Sequence, residues 1–102
     1  MVFKLLRCDV DVDDSTFNGL YPPKIRALAE RHWTPVEVAK MASQYLVESS
    51  KDKVLDIGAG AGKFCLVGAA CTNGMFYGVE QRESLVHISN NLAKKHNIQN
   101  VE

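Results

Sequence analysis

Gly58, Gly60 and Gly62, together with the carboxylates Asp56 and Glu80, are the residues of this sequence best suited to bind a ligand. Glycine lets the backbone turn sharply after a strand and brings amide groups close to a bound molecule, because no Cβ atom stands in the way. A carboxylate offers two oxygens to neighbouring donors such as the hydroxyl groups of a ribose. The pattern therefore predicts a pocket for a nucleotide-like ligand.

The residues around the glycines predict the elements that position them. Val54 to Ile57 is typical of a buried strand, Gly62 to Cys71 of a helix, and Met75 to Glu80 of a second strand. This order indicates a doubly wound sheet, in which ligands bind outside the carboxyl ends of parallel strands. The predicted fold class is α/β.

Two common nucleotide-binding motifs match only in part. The dinucleotide fingerprint G-x-G-x-x-G needs a small residue where the chain has Lys63. The phosphate loop needs a glycine in place of Ile57 and a hydroxyl in place of Phe64. Dinucleotide binding stays open as an alternative, because Glu80 lies near the sequence offset that a ribose-binding acid has in either fold.

The remaining pattern, D-x-G-x-G-x-G from Asp56 to Gly62, resembles the signature of class I S-adenosylmethionine-dependent methyltransferases. The resemblance implies a Rossmann-like fold and S-adenosylmethionine as the cofactor. It implies that Asp56 reaches the methionine end, that Glu80 accepts hydrogen bonds from both ribose hydroxyls, and that Gln81 lines the adenine. The glycines would form the floor of this site, whereas the methyl acceptor and the catalytic residues stay unknown.

A second segment, His32 to Ala39, resembles the T-P-x-x-[IV]-A element of some methyltransferases that act on amino groups of nucleic-acid bases. There the element lies beside the methionine end of the cofactor, which implies that Thr34 contacts the cofactor. Helix capping explains the same residues, because Thr34, Pro35 and Glu37 have the spacing of a capping box. The sequence is consistent both with contact of Thr34 with the cofactor and with a role of Thr34 in capping the helix.

Helices are predicted on both sides of the glycine motif. Pro22-Pro23 opens a helix that ends near Arg31, and another helix runs from Pro35 to about Glu48. We expect one face of the second helix to pack against the sheet, and this face comprises Val38, Met41, Ala42, Tyr45 and Leu46. A further helix is predicted to end near residues 95–97, with residues 98–102 leading to a third strand; its apolar positions are Leu85, Ile88 and Leu92.

The first thirty residues match no pattern that indicates a function. Their acidic run does not fit a calcium loop, because the required glycine would fall on Asp14 and the glutamate on Leu20. We interpret this run as a solvated edge or loop comprising Asp9, Asp11, Asp13 and Asp14. The predicted organisation is an N-terminal extension, residues 1–33, and a partial cofactor-binding domain, residues 34–102.

Composition limits the remaining function classes. Hydrophobic residues make up 46% of the chain, charged residues 24%, and the net charge is zero, as in an ordinary globular protein. Nucleic acid is allowed as a substrate but is not indicated by the charge pattern. The spacing of Cys8, Cys65 and Cys71 predicts no metal site, and no apolar run approaches the length of a membrane span. A cytoplasmic location is expected.

The resemblance implies a seven-stranded sheet, of which this sequence supplies only the first half. A two-stranded parallel sheet is a poor core by itself. We therefore expect either a fragment of a longer protein or a homodimer in which a second copy completes the sheet. The predicted function is methyl transfer, with this half holding the cofactor. The alternatives are a fragment of an NAD-type oxidoreductase and a non-catalytic half-domain that oligomerises.

Overall fold

The computed structural model describes residues 1–28 and 32–102. Its elements, in chain order, are α1 (Val2–Arg7), α2 (Asp14–Asn18), α3 (Pro23–Arg26), α4 (Val36–Leu46), β1 (Lys53–Ile57), α5 (Lys63–Cys71), β2 (Met75–Val79) and α6 (Glu83–Lys95). The predicted strands and the two helices that follow them are confirmed to within one or two residues. The helix predicted from Pro22-Pro23 is α3, which ends at Arg26, and the predicted end at Arg31 lies outside the described residues.

β1 and β2 pair in parallel, starting with Lys53 opposite Met75. On its other side β2 meets the end of the chain, where Phe76 forms a parallel bridge with Val101 and the Glu102 amide donates to the Phe76 carbonyl at 2.8 Å. β2 therefore lies between β1 and the beginning of a third strand, which confirms the expectation for residues 98–102.

The core lies on one face of this sheet, around α5. This helix contacts α1, α4, α6 and β2, and its residues 65–70 are buried. A Cβ atom at Gly68 would overlap the Phe76 ring and crowd the Ser43 hydroxyl, so this glycine lets α4 and β2 approach α5 closely. The Phe64 ring adds an edge contact to Phe76 at a centroid distance of 6.1 Å.

The predicted packing face of α4 is wrong. The helix begins at Val36 rather than Pro35 and buries Val36, Ala39 and Ser43. Ala39 and Ser43 are small enough for this stripe to approach α5 closely at Gly68, where the larger side chains of the predicted face would not fit. The predicted face is instead largely exposed, with Met41 at 64% and Tyr45 at 85%.

The acidic run of the N-terminal segment, residues 1–28, is an exposed loop at Asp9, Asp11 and Asp13, as predicted, whereas Asp14 is half-buried and begins α2. Asp13 caps α2 by accepting a 2.8 Å hydrogen bond from the Thr16 amide, and Asp9 pairs with Lys40 at 2.6 Å. Asp14 pairs with Lys63 at 2.6 Å. The segment packs on the α5 layer through the buried side chains of Val2, Phe3, Leu6, Phe17 and Tyr21. The domain boundary after residue 33 stays a prediction.

The opposite face of the sheet is not covered by any element that the structure describes. Residues alternate between the two faces of a strand, and three large apolar residues that point away from α5 are exposed. Leu55 is 60% exposed, Ile57 78% and Val79 53%. This exposed apolar face is what half of a doubly wound sheet would present. Within the same described part of the chain, no helix is long and apolar enough to cross a membrane.

Candidate functional site

The glycine turn after β1 adopts a left-handed backbone at alternate residues. The φ angles are 76° at Gly58, 60° at Gly60 and 84° at Gly62, in the region where residues with a Cβ atom are strained. The amides of Gly58 and Ala59 donate to the Val79 carbonyl at 2.8 and 3.0 Å. The glycine loop, residues 58–62, is therefore fastened across the carboxyl end of β2.

The three glycines have different surroundings. A Cβ atom built at Gly58 or Gly60 would meet no atom within 4 Å, whereas one at Gly62 would overlap the Ser89 side chain. Gly62 is also the N-cap of α5. Gly62 is thus required by packing against α6, while Gly58 and Gly60 leave bare backbone facing open space that a ligand can approach.

Glu80 follows β2 directly, and its side chain is only 7% exposed. One carboxylate oxygen accepts a 2.8 Å hydrogen bond from the Gly60 amide, and the other accepts from the amide and Nε of Arg82, both at 2.9 Å. The Arg82 side chain, its amide and the Gly60 amide together lower the pKa of Glu80 to about 2. Glu80 is therefore ionised at neutral pH and connects the glycine loop to the end of β2.

Asp56 lies in β1, opposite Gly78 of β2. Its carboxylate is partly buried, and burial raises its pKa. Within residues 1–28 and 32–102 it accepts no hydrogen bond and forms no ion pair. Burial and, to a smaller extent, the charge of Asp56 raise the pKa of Cys65 to about 12. The Cys65 thiol is therefore neutral. Asp56 is thus a carboxylate whose charge would be stabilised by a cationic or donor group of a ligand.

A pocket of about 130 Å³ lies between the glycine loop, α6 and the end of β2. Gly60, Gly62 and Glu80 line it from the loop side, and Ser89 and Asn90 line it from α6. A wider groove along α6 shares Glu80 and Asn90 with this pocket. Three of the predicted site residues therefore meet at one pocket.

The other predicted site residues do not line this pocket. Asp56 and Gly58 belong to β1 and the adjoining turn, and Gln81 is exposed next to Glu80. Thr34 is partly buried, and its side chain makes no capping hydrogen bond to α4, so the capping-box prediction is wrong. The carboxylate of Asp14 accepts the hydrogen bond of the Val36 amide instead. Contact of Thr34 and Gln81 with a ligand stays a prediction.

Sequence reasoning missed the contribution of α6. Ser89 lies four residues after Leu85, on the buried side of a helix whose other buried residue is Leu92. A small polar residue at this point of an apolar stripe is the signal that could have identified it. It also missed two contacts from the N-terminal segment, from Tyr21 to Ala61 and from Asp14 to Lys63.

Comparison with known proteins agrees with this geometry. Residues 48–102, more than half of the chain, match a family model described as a methyltransferase domain. Among curated proteins no sequence matches significantly.

Two solved structures share the fold. The YcgJ protein of Bacillus subtilis is similar with a TM-score of 0.56 and 24% identity, over 65% of this chain and 28% of that chain. A SAM dependent methyltransferase from Aquifex aeolicus is similar with a TM-score of 0.54 and 22% identity, over 90% of this chain and 46% of that chain. The chain thus spans less than half of either structure. Its two parallel strands, glycine loop and covering helices form part of a Rossmann-like fold. The chain belongs to the methyltransferase-domain family.

Proposed function

We propose that this chain is the cofactor-binding half of an S-adenosylmethionine-dependent methyltransferase. The family match supports this proposal, as does the likeness to the SAM dependent methyltransferase from Aquifex aeolicus. One observation carries it above the others. The bare backbone at Gly58 and Gly60 faces open space, in a loop that follows the unpartnered carboxylate of Asp56 in the chain and is bonded to the fixed carboxylate of Glu80.

The residues present fit this cofactor. Asp56 would receive the ammonium group of the methionine end, because its partly buried charge has no partner among the described residues. Glu80 would accept hydrogen bonds from the ribose hydroxyls, since a carboxylate has about four lone-pair positions and the Arg82 side chain, 60% exposed, can turn towards solvent. We further propose Thr34 at the methionine end and Gln81 beside the adenine.

When bound, the cofactor supplies an electrophilic methyl group for attack by a nitrogen, oxygen, carbon or sulfur atom of an acceptor. The contribution of this chain is to bind and orient, because methyl transfer depends on the alignment of nucleophile, methyl carbon and sulfur. None of the described residues is assigned as an acid, base or nucleophile. Nucleic acid is one acceptor class that the proposal allows.

We propose that a second copy of the chain completes the sheet in a homodimer, and that this assembly also covers the exposed apolar face. The support is the exposure of Leu55, Ile57 and Val79, since an apolar patch of this kind marks an interaction site. Light scattering at increasing concentration is expected to show a dimer that Ile57→Lys converts to a monomer. A wild-type monomer at all concentrations would contradict it.

The free thiols Cys8, Cys65 and Cys71 support a proposed cytoplasmic location.

Calorimetry with S-adenosylhomocysteine, NAD and ADP-ribose tests the proposed function. S-adenosylhomocysteine has the ammonium group, ribose and adenine of the cofactor, so it should bind with saturable heat. NAD and ADP-ribose should not bind, because Lys63 stands where the dinucleotide fingerprint needs a small residue. Binding of NAD without binding of S-adenosylhomocysteine would overturn the proposal.

A further inference from the structure

Lys63 occupies an unfavourable position for a cation. Its side chain is only 5% exposed, and it is the first residue of α5, where the helix dipole disfavours positive charge. The Lys63 ammonium is compensated by Asp14, whose Oδ1 lies 2.6 Å from Nζ, and by two aromatic rings. The centroids of Phe17 and Trp33 lie 5.7 and 6.0 Å from Nζ. All of these partners lie before the glycine motif in the chain.

Asp14 joins the beginnings of three helices through one carboxylate. It is the first residue of α2, and its Oδ1 accepts hydrogen bonds from Lys63 of α5 and from the Val36 amide of α4, at 2.6 and 2.8 Å. Burial disfavours the charged form of Asp14, but these hydrogen bonds and the charge of Lys63 outweigh it and hold the pKa of Asp14 below its ordinary value. Asp14 therefore fixes the start of α4 relative to the glycine loop.

Tyr21 makes a second contact to the loop. Its side chain is 2% exposed, and its hydroxyl donates a 2.9 Å hydrogen bond to the carbonyl of Ala61, between Gly60 and Gly62. Burial raises the pKa of Tyr21, so the phenol stays a neutral donor. Its ring packs against the Trp33 ring at a centroid distance of 4.6 Å.

The glycine loop is thus held by three separate parts of the molecule. β2 and Glu80 hold one side, and Ser89 of α6 lies where a Cβ atom of Gly62 would be. The third attachment, at Ala61 and Lys63, comes from the N-terminal segment, which lies outside the residues that match the family model. Glycines make a loop flexible, so ordering this loop costs conformational entropy. Each attachment orders part of the loop before the ligand binds and so lowers the entropy cost of binding.

We propose that Asp14, Lys63 and Tyr21 are positioning residues that hold the glycine loop in its ligand-binding conformation. They do not line the pocket, so their effect on binding passes through the backbone of residues 60–62. This inference rests on the proposed function only in its choice of ligand. Under this proposal, the N-terminal segment shapes the cofactor site by positioning the glycine loop.

The test uses Tyr21→Phe and Lys63→Met in the full chain. Each variant removes one attachment, so Tyr21→Phe should weaken S-adenosylhomocysteine binding about three- to tenfold and Lys63→Met about tenfold. The backbone amide resonances of Gly60 and Gly62 should shift in the ligand-free protein. Asp14→Asn added to Lys63→Met should weaken binding little further, because both act through one ion pair.

Matched controls distinguish positioning from stability. Lys40 pairs with Asp9 at 2.6 Å, also between the N-terminal segment and a helix, but not at the glycine loop. Lys40→Met, and Tyr77→Phe on the exposed sheet face, should leave affinity within about twofold and the glycine resonances unchanged.

A lower melting temperature in the Tyr21 and Lys63 variants, with wild-type affinity and glycine resonances, would overturn the inference. If Lys63→Met fails to fold, Tyr21→Phe decides. If wild-type protein binds no S-adenosylhomocysteine, the proposed function fails, while the glycine resonances of the ligand-free variants still test the positioning role.

Discussion

The two strand ends at the site carry carboxylates in opposite situations. Glu80, after β2, accepts hydrogen bonds from Gly60 and Arg82, and its pKa is lowered to about 2. Asp56, near the end of β1, has no partner among the described residues, and burial raises its pKa. Glu80 is held in place by the protein itself, whereas no described group stabilises the charge of Asp56.

The difference suggests a division of roles. A carboxylate held by backbone amides fixes the shape of the glycine loop, so it contributes pre-organisation as well as direct contacts. A partly buried carboxylate without a partner makes the free protein less stable and is relieved when a cationic group arrives. A group of this kind lowers the stability of the free protein and raises its affinity for a cationic ligand. The variants below separate these roles.

The largest effect is expected when a side chain covers the bare backbone of the glycine loop. Gly60→Val places a β-branched side chain at a φ of 60° and fills the open space over the loop. S-adenosylhomocysteine binding should fall below detection in calorimetry, with the helical circular dichroism signal retained. Gly19→Ala is the control, because the φ of Gly19 is −62°. Wild-type affinity in Gly60→Val would show that the ligand does not approach the loop.

A smaller loss is expected at the fixed carboxylate. Glu80→Ala removes the proposed acceptor for the ribose hydroxyls and the acceptor of the Gly60 amide, so affinity should fall at least about tenfold. Glu83→Ala, an exposed glutamate in the first turn of α6, is the matched control and should bind as the wild type does. An unchanged titration for Glu80→Ala would remove Glu80 from the site.

Substitution of the unpartnered carboxylate, Asp56, should raise the stability of the ligand-free protein. Asp56→Asn removes a charge that burial disfavours, so the melting temperature of the ligand-free protein should rise. Affinity for S-adenosylhomocysteine should nevertheless fall by about three- to tenfold, because the ammonium group loses a charged acceptor. Asp52→Asn, which replaces the charged acceptor of the Glu48 and Ser49 amides by a neutral one, should instead lower stability and leave affinity unchanged. A drop in melting temperature with unchanged affinity for Asp56→Asn would contradict the assignment.

The smallest effect is the dependence of stability on pH. The folded-state pKa of Glu80, about 2, is below its ordinary 4.5, so its contribution is complete above about pH 4.5 and is lost as the pH falls towards 2. The raised pKa of Asp56 acts in reverse, because protonation relieves the folded state as pH falls. Melting curves of Glu80→Gln should show a flatter acid limb than the wild type. Parallel acid limbs would contradict the role of Glu80 in holding the loop.

The elements around the site could be predicted because their signals are local. Gly58, Gly60 and Gly62 are needed for the left-handed backbone of their own turn, and Glu80 bonds to a loop whose position the strand order already implies. The packing face of α4 could not be predicted, because it depends on the contact of Ser43 with Gly68, far along the chain.

The N-terminal contacts were equally hidden in the sequence. Asp14 and Lys63 are separated by 49 positions, and neither lies in a motif that indicates an ion pair. Local capping rules favoured Thr34 as the cap of α4, but the carboxylate of Asp14 reaches the Val36 amide and takes that role. Long-range partners of this kind override local propensity when they satisfy a buried charge at the same time.

The most direct test of the central claim is to titrate the side-chain carboxyl ¹³C resonances of Asp56 and Glu80 against pH, with and without S-adenosylhomocysteine. If the two carboxylates hold the methionine and ribose ends, the pKa of Asp56 should fall from its raised value when the ligand binds, while that of Glu80 stays below its ordinary value. Unchanged titration of Asp56 in the saturated complex would contradict the account.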